Sequence, residues 1–222
     1  MKNTTETSAP CAASPKAPAK ARGRPLSFDR DAALENAMHV FWERGYEAAS
    51  IADLTSAMGI TPPSLYTAFG DKEKLFLEAI ERYALGPGSA GPRALAEEPT
   101  ARGAIERWLL EAADELTRPC HPKGCMVVMA TTNCSVAAEH VQTALSKRRA
   151  AAIANVKSRI QQGIDSGELP AETDANALSN FYSTIYQGMS MQAKDGATRA
   201  SLIATVDAAM RAWPAAVPRK RR

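Results

Sequence analysis

Thiol, imidazole and thioether side chains are concentrated in the stretch "CHPKGCMVVMATTNC" at residues 120–134. Cys120, His121 and Cys125 are soft or borderline ligands for a transition metal, although their spacing matches no common zinc signature. If one helix ran from Cys125 to Cys134, these two residues would lie about 900° apart, on opposite faces, and could not share one metal ion. A thiol at a helix N-terminus can be reactive, which makes Cys125, and with it Cys120, a possible sensor of oxidants or electrophiles. Structural, sensing and metal-binding roles all stay open.

A second group of side chains could contact a polyanion. In "GITPPSLYTAFGDKEKL", residues 59–75, Thr61 and Ser64 offer hydroxyls at a predicted helix start, where backbone N–H groups also favour phosphate. Tyr66 and Thr67 fall on the predicted outward face of that helix. A tyrosine there could hydrogen-bond a phosphate or pack on a thymine methyl group. These residue types indicate DNA binding.

Basic charge lies mainly at the two ends of the chain. Residues 1–25 carry a net charge of +4, the last four residues are "RKRR", and the whole chain has a net charge of +3. Arg22 and Arg24 in "ARGRP" could enter the narrow minor groove of A·T-rich DNA. Lys72 would lie close to a phosphate strand. Basic ends on a nearly neutral body favour a polyanionic partner, although solubility alone explains the C-terminal tail equally well.

Two helices are predicted before the proline-containing stretch. Asp29 is expected to cap the first helix, and Gly45 to end it. Ser50 opens "SIAD", which has the form of a capping box and predicts the start of a second helix. Gly59 would end that helix.

The adjacent prolines are compatible with a third helix. Thr61 can cap it, so that Pro62 and Pro63 fall in the first turn, where a missing N–H costs nothing. Asp71 would cap a fourth helix. The second and third helices, joined by a short turn with a glycine, form a predicted helix-turn-helix, whose second helix enters the major groove of DNA.

The sequence "DAALENAMHVFWERGYEAASIADLTSAMGITPPSLYTAFGDKEKLFLEAI" closely resembles the DNA-binding domain of the TetR/AcrR family of bacterial transcriptional regulators, over about residues 29–82. The resemblance implies an all-helical homodimer that represses transcription and is released from a palindromic operator by a ligand in its second domain. It also implies DNA contacts at Ser50, Thr61, Pro62, Pro63, Ser64, Tyr66, Thr67 and Lys72. Because Pro62 has no polar side chain, it cannot read a base by hydrogen bonding. The "GCMVV" region resembles a copper-responsive branch of the family.

The second half of the chain contains the candidates for effector binding and dimerisation. Helices are predicted at residues 101–118, 124–134, 137–166, 173–193 and 198–212. The family analogy places the last two of these in a four-helix dimer interface and a pocket between residues 101 and 190. Any of the candidate pocket residues could instead belong to the core. They are Trp108, Met126, Met129, His140, Tyr182 and Tyr186.

The predicted fold class is all-α, with an N-terminal helix-turn-helix domain and a larger ligand-binding and dimerisation domain. The predicted divisions are a disordered arm at 1–24, the DNA-binding domain at 25–84, a linker at 85–100, the second domain at 101–214 and a basic tail at 215–222. No apolar run has the length of a membrane span, and the first residues lack the apolar core of a signal peptide, so a cytoplasmic protein is expected.

The sequence argues against two other functional classes, an enzyme and a protein-binding scaffold. The sequence has no paired carboxylates on one helix face, no nucleophile motif and no phosphate-cradling glycine loop, which argues against an enzyme. A helical scaffold for other proteins would leave Tyr66 and the arginine arm without a role. No cofactor and no bound metal are predicted, and the expected partners are operator DNA, a second copy of the chain and a small-molecule effector.

Overall fold

The structure, a computed structural model, describes residues 28–130 and 138–215. Within these ranges the regular structure is helical and contains no β-strand, which confirms the predicted all-α class. Arg22, Arg24 and Cys134 lie outside the described residues, as do the predicted arm and nearly all of the basic tail. No helix in the described ranges is long and apolar enough to cross a membrane.

The N-terminal unit consists of four helices, and the residues predicted to cap them do so. Asp29 accepts hydrogen bonds from two backbone N–H groups of the first helix, and Ser50 and Asp53 form the complete capping box. Thr61 and Asp71 cap the next two helices through their side chains. The helices are α1 (Arg30–Ala48), α2 (Ile51–Met58), α3 (Pro62–Phe69) and α4 (Lys72–Leu85).

Gly45 interrupts α1 instead of ending it. Its φ of +78° is unavailable to most side chains, and the helix continues for one short turn to Ala48 beyond this kink. The kink directs Tyr46 back towards the core, where its ring packs on those of Phe41 and Phe76 at centroid distances of 6.3 and 5.1 Å. Phe41 meets Phe76 edge to face at 5.0 Å, and these aromatic contacts hold α1 against α4.

Most of the predicted linker at residues 85–100 is helical. Pro87–Ser89 form a single 3-10 turn and Ala90–Glu97 form α5, which packs on the following helix. The glycines in this segment allow aromatic side chains to pack directly against the backbone. A Cβ at Gly88 would lie 2.8 Å from the Tyr83 ring, and one at Gly91 would lie 2.9 Å from the Trp108 ring. Glycine in this segment therefore indicates tight packing.

The described part of the second unit contains five further helices. They are α6 (Ala101–Thr117), α7 (Met126–Met129), α8 (Glu139–Asp165), α9 (Ala175–Lys194) and α10 (Arg199–Met210). Four of them begin and end within two residues of the predicted bounds. The fifth prediction, 124–134, corresponds to the single turn α7, and its last residues are outside the described ranges.

Two contacts hold the second unit together over long sequence distances. The Glu168 carboxylate accepts hydrogen bonds from the backbone N–H groups of Ala101 and Arg102 at 2.7 and 2.8 Å, so it caps α6 from the end of α8. Tyr182 is fully buried, and its hydroxyl donates to the Ala209 carbonyl at 3.3 Å while its ring contacts Trp213. Tyr182 therefore fixes α9 to α10.

Candidate nucleic-acid interface and effector cavity

Helix α3 buries one face and presents the other to solvent. Leu65 and Phe69 are almost completely buried, whereas the Tyr66 side chain is 50% exposed and Thr67 is exposed. The short helix is therefore anchored by its inner face. Its outer face is available to a partner.

The hydroxyls at the start of α3 are ordered by contacts within the helix. Thr61 Oγ1 and Ser64 Oγ lie 2.9 Å apart, and the Ser64 backbone N–H donates to Thr61 Oγ1 at 3.4 Å. Thr67 Oγ1 donates to the Pro63 carbonyl at 2.8 Å. Only one of the two hydroxyl protons of Thr61 and Ser64 is used between them, so the other can still be donated to a phosphate.

Ser50 has a structural role in the capping box. Its hydroxyl donates to Asp53 Oδ2 at 2.6 Å and accepts the Asp53 backbone N–H at 3.0 Å, while Arg44 pairs with the same carboxylate at 2.7 Å. The hydrogen bonds from Ser50, followed by Arg44, hold the pKa of Asp53 below its ordinary value. If Ser50 also contacts a phosphate of DNA, it does so while it caps α2.

Lys72 is held at the junction of α1 and α4. Its ammonium donates to the Glu47 carbonyl at 3.3 Å and lies 4.6 Å from the centre of the Tyr46 ring. Burial lowers its pKa, and the nearby Glu47 partly opposes this effect. The adjacent Lys74 pairs with Asp71 at 3.2 Å on the exposed surface. The Lys72 cation is therefore held in place by the last turn of α1.

An apolar cavity of about 320 Å³ lies between α4, α5, α6, α7, α8 and α9. Trp108 and Tyr186 line it, with ring centroids 5.3 Å apart. The buried hydroxyl of Ser183 also lines the cavity, and it has no hydrogen-bond partner among the described residues. A buried hydroxyl without a partner is uncommon, and it is available to a polar group on a bound molecule.

The other predicted pocket residues lie elsewhere. Tyr182 belongs to the α9–α10 core, and His140 is exposed at the start of α8. Met126 is fully buried and Met129 partly buried, and the structure places neither in the cavity wall. The structure thus brings two of the six candidates, Trp108 and Tyr186, to one cavity.

Cys125 contributes a buried thiol to the cavity wall. Its residue is only 4% exposed, and its backbone N–H donates to Ser190 Oγ at 2.8 Å. The phenol groups of Tyr83 and Tyr186 lie close enough to its side chain to interact with it electrostatically. Burial, followed by the contact with Cys125, raises the pKa of both phenols well above the ordinary value, so both remain proton donors at neutral pH.

The described potential metal ligands form no cluster with Cys125. Cys120 is exposed. The ring nitrogens of His121 contact Glu115 and the Pro122 carbonyl, both at 2.9 Å. Residues 28–130 and 138–215 contain no cluster of three or more His, Cys, Asp or Glu side chains suited to a metal ion.

The two units are joined directly beside Cys125. The indole N–H of Trp42 on α1 donates to the Gly124 carbonyl at 2.9 Å, and its ring stacks on His121 at 4.3 Å and meets Tyr83 at 4.8 Å. The sequence showed Trp42 and Tyr83 only as apolar positions of their helices. A polar partner 82 residues away leaves no local signal in the sequence.

Comparison with known proteins gives two matching family models. Residues 33–79 match the model described as bacterial regulatory proteins, tetR family, and residues 102–215 match a tetracyclin repressor-like C-terminal domain. The HTH-type transcriptional repressor ComR of Escherichia coli (strain K12) is 36% identical over 88% of this chain and 93% of its own length. BdcR, an HTH-type transcriptional repressor of the same organism, is 27% identical over 82% of this chain and 88% of its own length.

Solved structures agree with these matches. A cysteine mutant of the TetR family transcriptional regulator CifR, complexed with 26-base-pair double-strand operator DNA, superposes with a TM-score of 0.84 at 46% identity, covering 86% of this chain and 100% of that one. A TetR transcriptional regulator from Rhodococcus sp. RHA1 gives a TM-score of 0.58 at 36% identity, over 85% and 100% of the two chains.

Proposed function

The chain belongs to the tetR family of bacterial regulatory proteins, and we propose that it is a cytoplasmic homodimer that an effector, bound in the cavity beside Cys125, releases from a palindromic operator. Like its relatives, it is a DNA-binding transcriptional repressor and not an enzyme. The proposed division assigns residues 25–84 to DNA and residues 101–214 to the effector and the second subunit.

The single observation that supports the operator contact best is the outer face of α3. Tyr66 and Thr67 are exposed there, at the helix whose start is stiffened by two prolines. In a helix-turn-helix this helix occupies the major groove. The proposed contacts are Ser50, Thr61, Pro62, Pro63, Ser64, Tyr66, Thr67 and Lys72, with Arg22 and Arg24 in the minor groove.

The proposed dimer uses α9 and α10. Phe181 and Met191 are 39% and 41% exposed, and their directions differ by about 80° around α9. Gly188 lies between them with open space around its Cβ position, which permits close approach of a second helix. Two copies of α3 can then reach half-sites about one turn of DNA apart.

Operator binding is tested with purified protein and DNA from the region upstream of its own and neighbouring genes. We expect protection of a palindrome in footprinting at physiological salt, with an affinity about 10³-fold or more above that for random DNA. Weak binding that does not depend on sequence would contradict specific operator recognition. Sedimentation of the protein in the same buffer measures its oligomeric state, and it therefore tests the dimer proposal independently of DNA binding.

Removal of residues 1–25 is expected to flatten the salt dependence of operator binding. If Arg22 and Arg24 each contact a phosphate, the slope of log K against log salt should fall by about 1.8, since each contact contributes about 0.9. Titrations at four or more salt concentrations measure the slope. An unchanged slope would show that the arm does not touch DNA.

The proposed effector is a small, mainly apolar electrophile such as an α,β-unsaturated aldehyde. The Cys125 sulfur forms a bond to the β-carbon, the carbon–carbon π bond breaks, and the thiol proton ends on the α-carbon. The hydroxyl of Tyr83 or Tyr186 can hydrogen-bond the carbonyl oxygen as negative charge develops there. The cavity is lined mainly by apolar side chains and has a volume of about 320 Å³, which suits a small reactant.

Substitution of Cys125 by serine is expected to abolish release of the operator by acrolein. Wild-type protein should lose operator binding and gain one mass increment per chain at Cys125, measured by gel shift and peptide mass spectrometry. The matched control is Cys120→Ser, which changes an exposed thiol 5 positions earlier in the sequence and should respond like the wild type. Equal release of Cys125→Ser and wild type would exclude Cys125 as the sensor.

A further inference from the structure

A second depression adjoins the effector cavity on the side of α5 and α8. It encloses about 480 Å³ and shares three wall residues, Pro92, Leu95 and Asn155, with the cavity. Unlike the cavity, it has polar walls. Ser158, Arg159 and Gln162 contribute these walls from α8, about one to two helical turns beyond Asn155. One molecule that crosses Leu95 could therefore occupy both spaces.

Arg159 is a buried cation without a carboxylate partner. Its residue is 9% exposed, and its guanidinium donates to the Glu98 carbonyl at 2.9 Å and to Gln162 Oε1 at 3.5 Å. No Asp or Glu oxygen in the described ranges lies within 4.0 Å of it, and Glu6 is the only acidic side chain outside those ranges. Buried arginines are normally paired with an anion.

The acidic side chain that lines this depression is already engaged. This residue is Glu98, and its carboxylate accepts a hydrogen bond at 3.1 Å from Arg107. Arg107 binds Glu97 and Glu111 as well, at 2.9 and 2.6 Å. Three carboxylates thus surround one arginine, while Arg159 has none. Capping of α5 explains the bond from Arg159 to the Glu98 carbonyl. In the described residues, this bond and the bond to Gln162 engage two of the five guanidinium N–H donors.

We propose that Arg159 binds the anionic group, a carboxylate or a similar oxyanion, of an effector whose apolar part occupies the cavity at Trp108 and Tyr186. A guanidinium can hold both oxygens of a carboxylate, and Asn155 and Ser158 supply neutral hydrogen bonds beside it. Val156 lines the cavity and Arg159 follows three residues later, about 4.5 Å along α8, so a short linker joins the two groups.

This inference rests on the proposed effector cavity, but it does not require operator release. The test is direct binding, without DNA, of straight-chain alkanoates from six to twelve carbons and of aryl alkanoates, each paired with its neutral amide. Isothermal titration at pH 7.5 measures both members of a pair. We expect at least one carboxylate to bind about 10-fold or more tightly than its amide.

Variants of Arg159 test whether this residue causes the preference for the carboxylate over the amide. Arg159→Gln should bind acid and amide equally, whereas Arg159→Lys should retain a reduced preference because the charge remains. The matched control is Arg102→Gln, which removes an exposed cation that pairs with Glu106 and lines neither space, and it should keep the full preference. The inference is overturned if no acid binds more tightly than its amide, or if Arg159→Gln keeps the preference. Operator binding by the same samples shows separately whether the proposed function holds.

Discussion

Gly124→Ala is expected to lower the free energy of unfolding by about 2–4 kcal/mol. Gly124 has a φ of +80°, and a Cβ there would lie 2.9 Å from the Ser190 backbone carbonyl and 3.4 Å from its hydroxyl. The left-handed conformation accounts for about 1–2 kcal/mol of the loss for a non-glycine residue. The rest comes from displacement of α9 at Ser190, which also binds the Cys125 backbone N–H. Urea denaturation at one fixed protein concentration measures the change.

Gly167→Ala is the matched control for this prediction. Gly167 has a similar φ of +74° in the same unit, but nothing lies within 4 Å of its Cβ position. It should lose only the conformational part, about 1–2 kcal/mol. Equal losses in the two variants would contradict a close contact between Gly124 and Ser190.

Tyr66→Ala is expected to weaken operator binding about 10- to 100-fold with little loss of thermal stability. The side chain is 50% exposed on the outer face of α3, so its removal leaves no internal cavity. A base-edge or phosphate contact in the major groove contributes about 1–3 kcal/mol, which sets this range. Fluorescence anisotropy with operator DNA gives the affinity, and a thermal melt gives the stability. The variant Tyr66→Phe keeps the ring and removes the hydroxyl, so it shows how much of the loss in operator affinity is due to the hydroxyl.

Leu85→Ala is the control for loss of an exposed apolar side chain. Leu85 is 85% exposed at the end of α4, about 20 Å along that helix from Lys72. Neither operator affinity nor stability should change. A collapse of stability in Tyr66→Ala would place Tyr66 in the core, and an unchanged affinity would exclude the outer face of α3 from the interface.

The N-terminal unit was predictable because its signals are local. Asp29, Ser50, Thr61 and Asp71 each satisfy backbone N–H groups within three residues, so a short window of sequence contains both partners. The face assignment of α3 followed from helical periodicity in the same way. These predictions did not depend on distant parts of the chain.

The cavity was less predictable because apolar periodicity does not distinguish a core from a pocket wall. Tyr182 and Tyr186 lie one turn apart on α9, yet the first packs on Trp213 and the second on Trp108 at the cavity. The glycines of residues 86–91 suggested a linker, whereas Gly88 and Gly91 make room for aromatic rings contributed by α4 and α6. Only the tertiary arrangement determines which ring occupies the space beside a glycine.

The hydrogen bond from Trp42 to the Gly124 carbonyl ties α1 to the residue before Cys125. If effector binding displaces this carbonyl and thereby weakens operator binding, linkage requires the operator to weaken reversible effector binding by the same factor. The repressor on its operator would then be the least responsive form of the protein. At low effector concentrations, the molecules in solution would bind effector first, and the promoter would open as those on DNA dissociate and are not replaced. Sensitivity would thus depend on the number of copies of the repressor in the cell as well as on its chemistry.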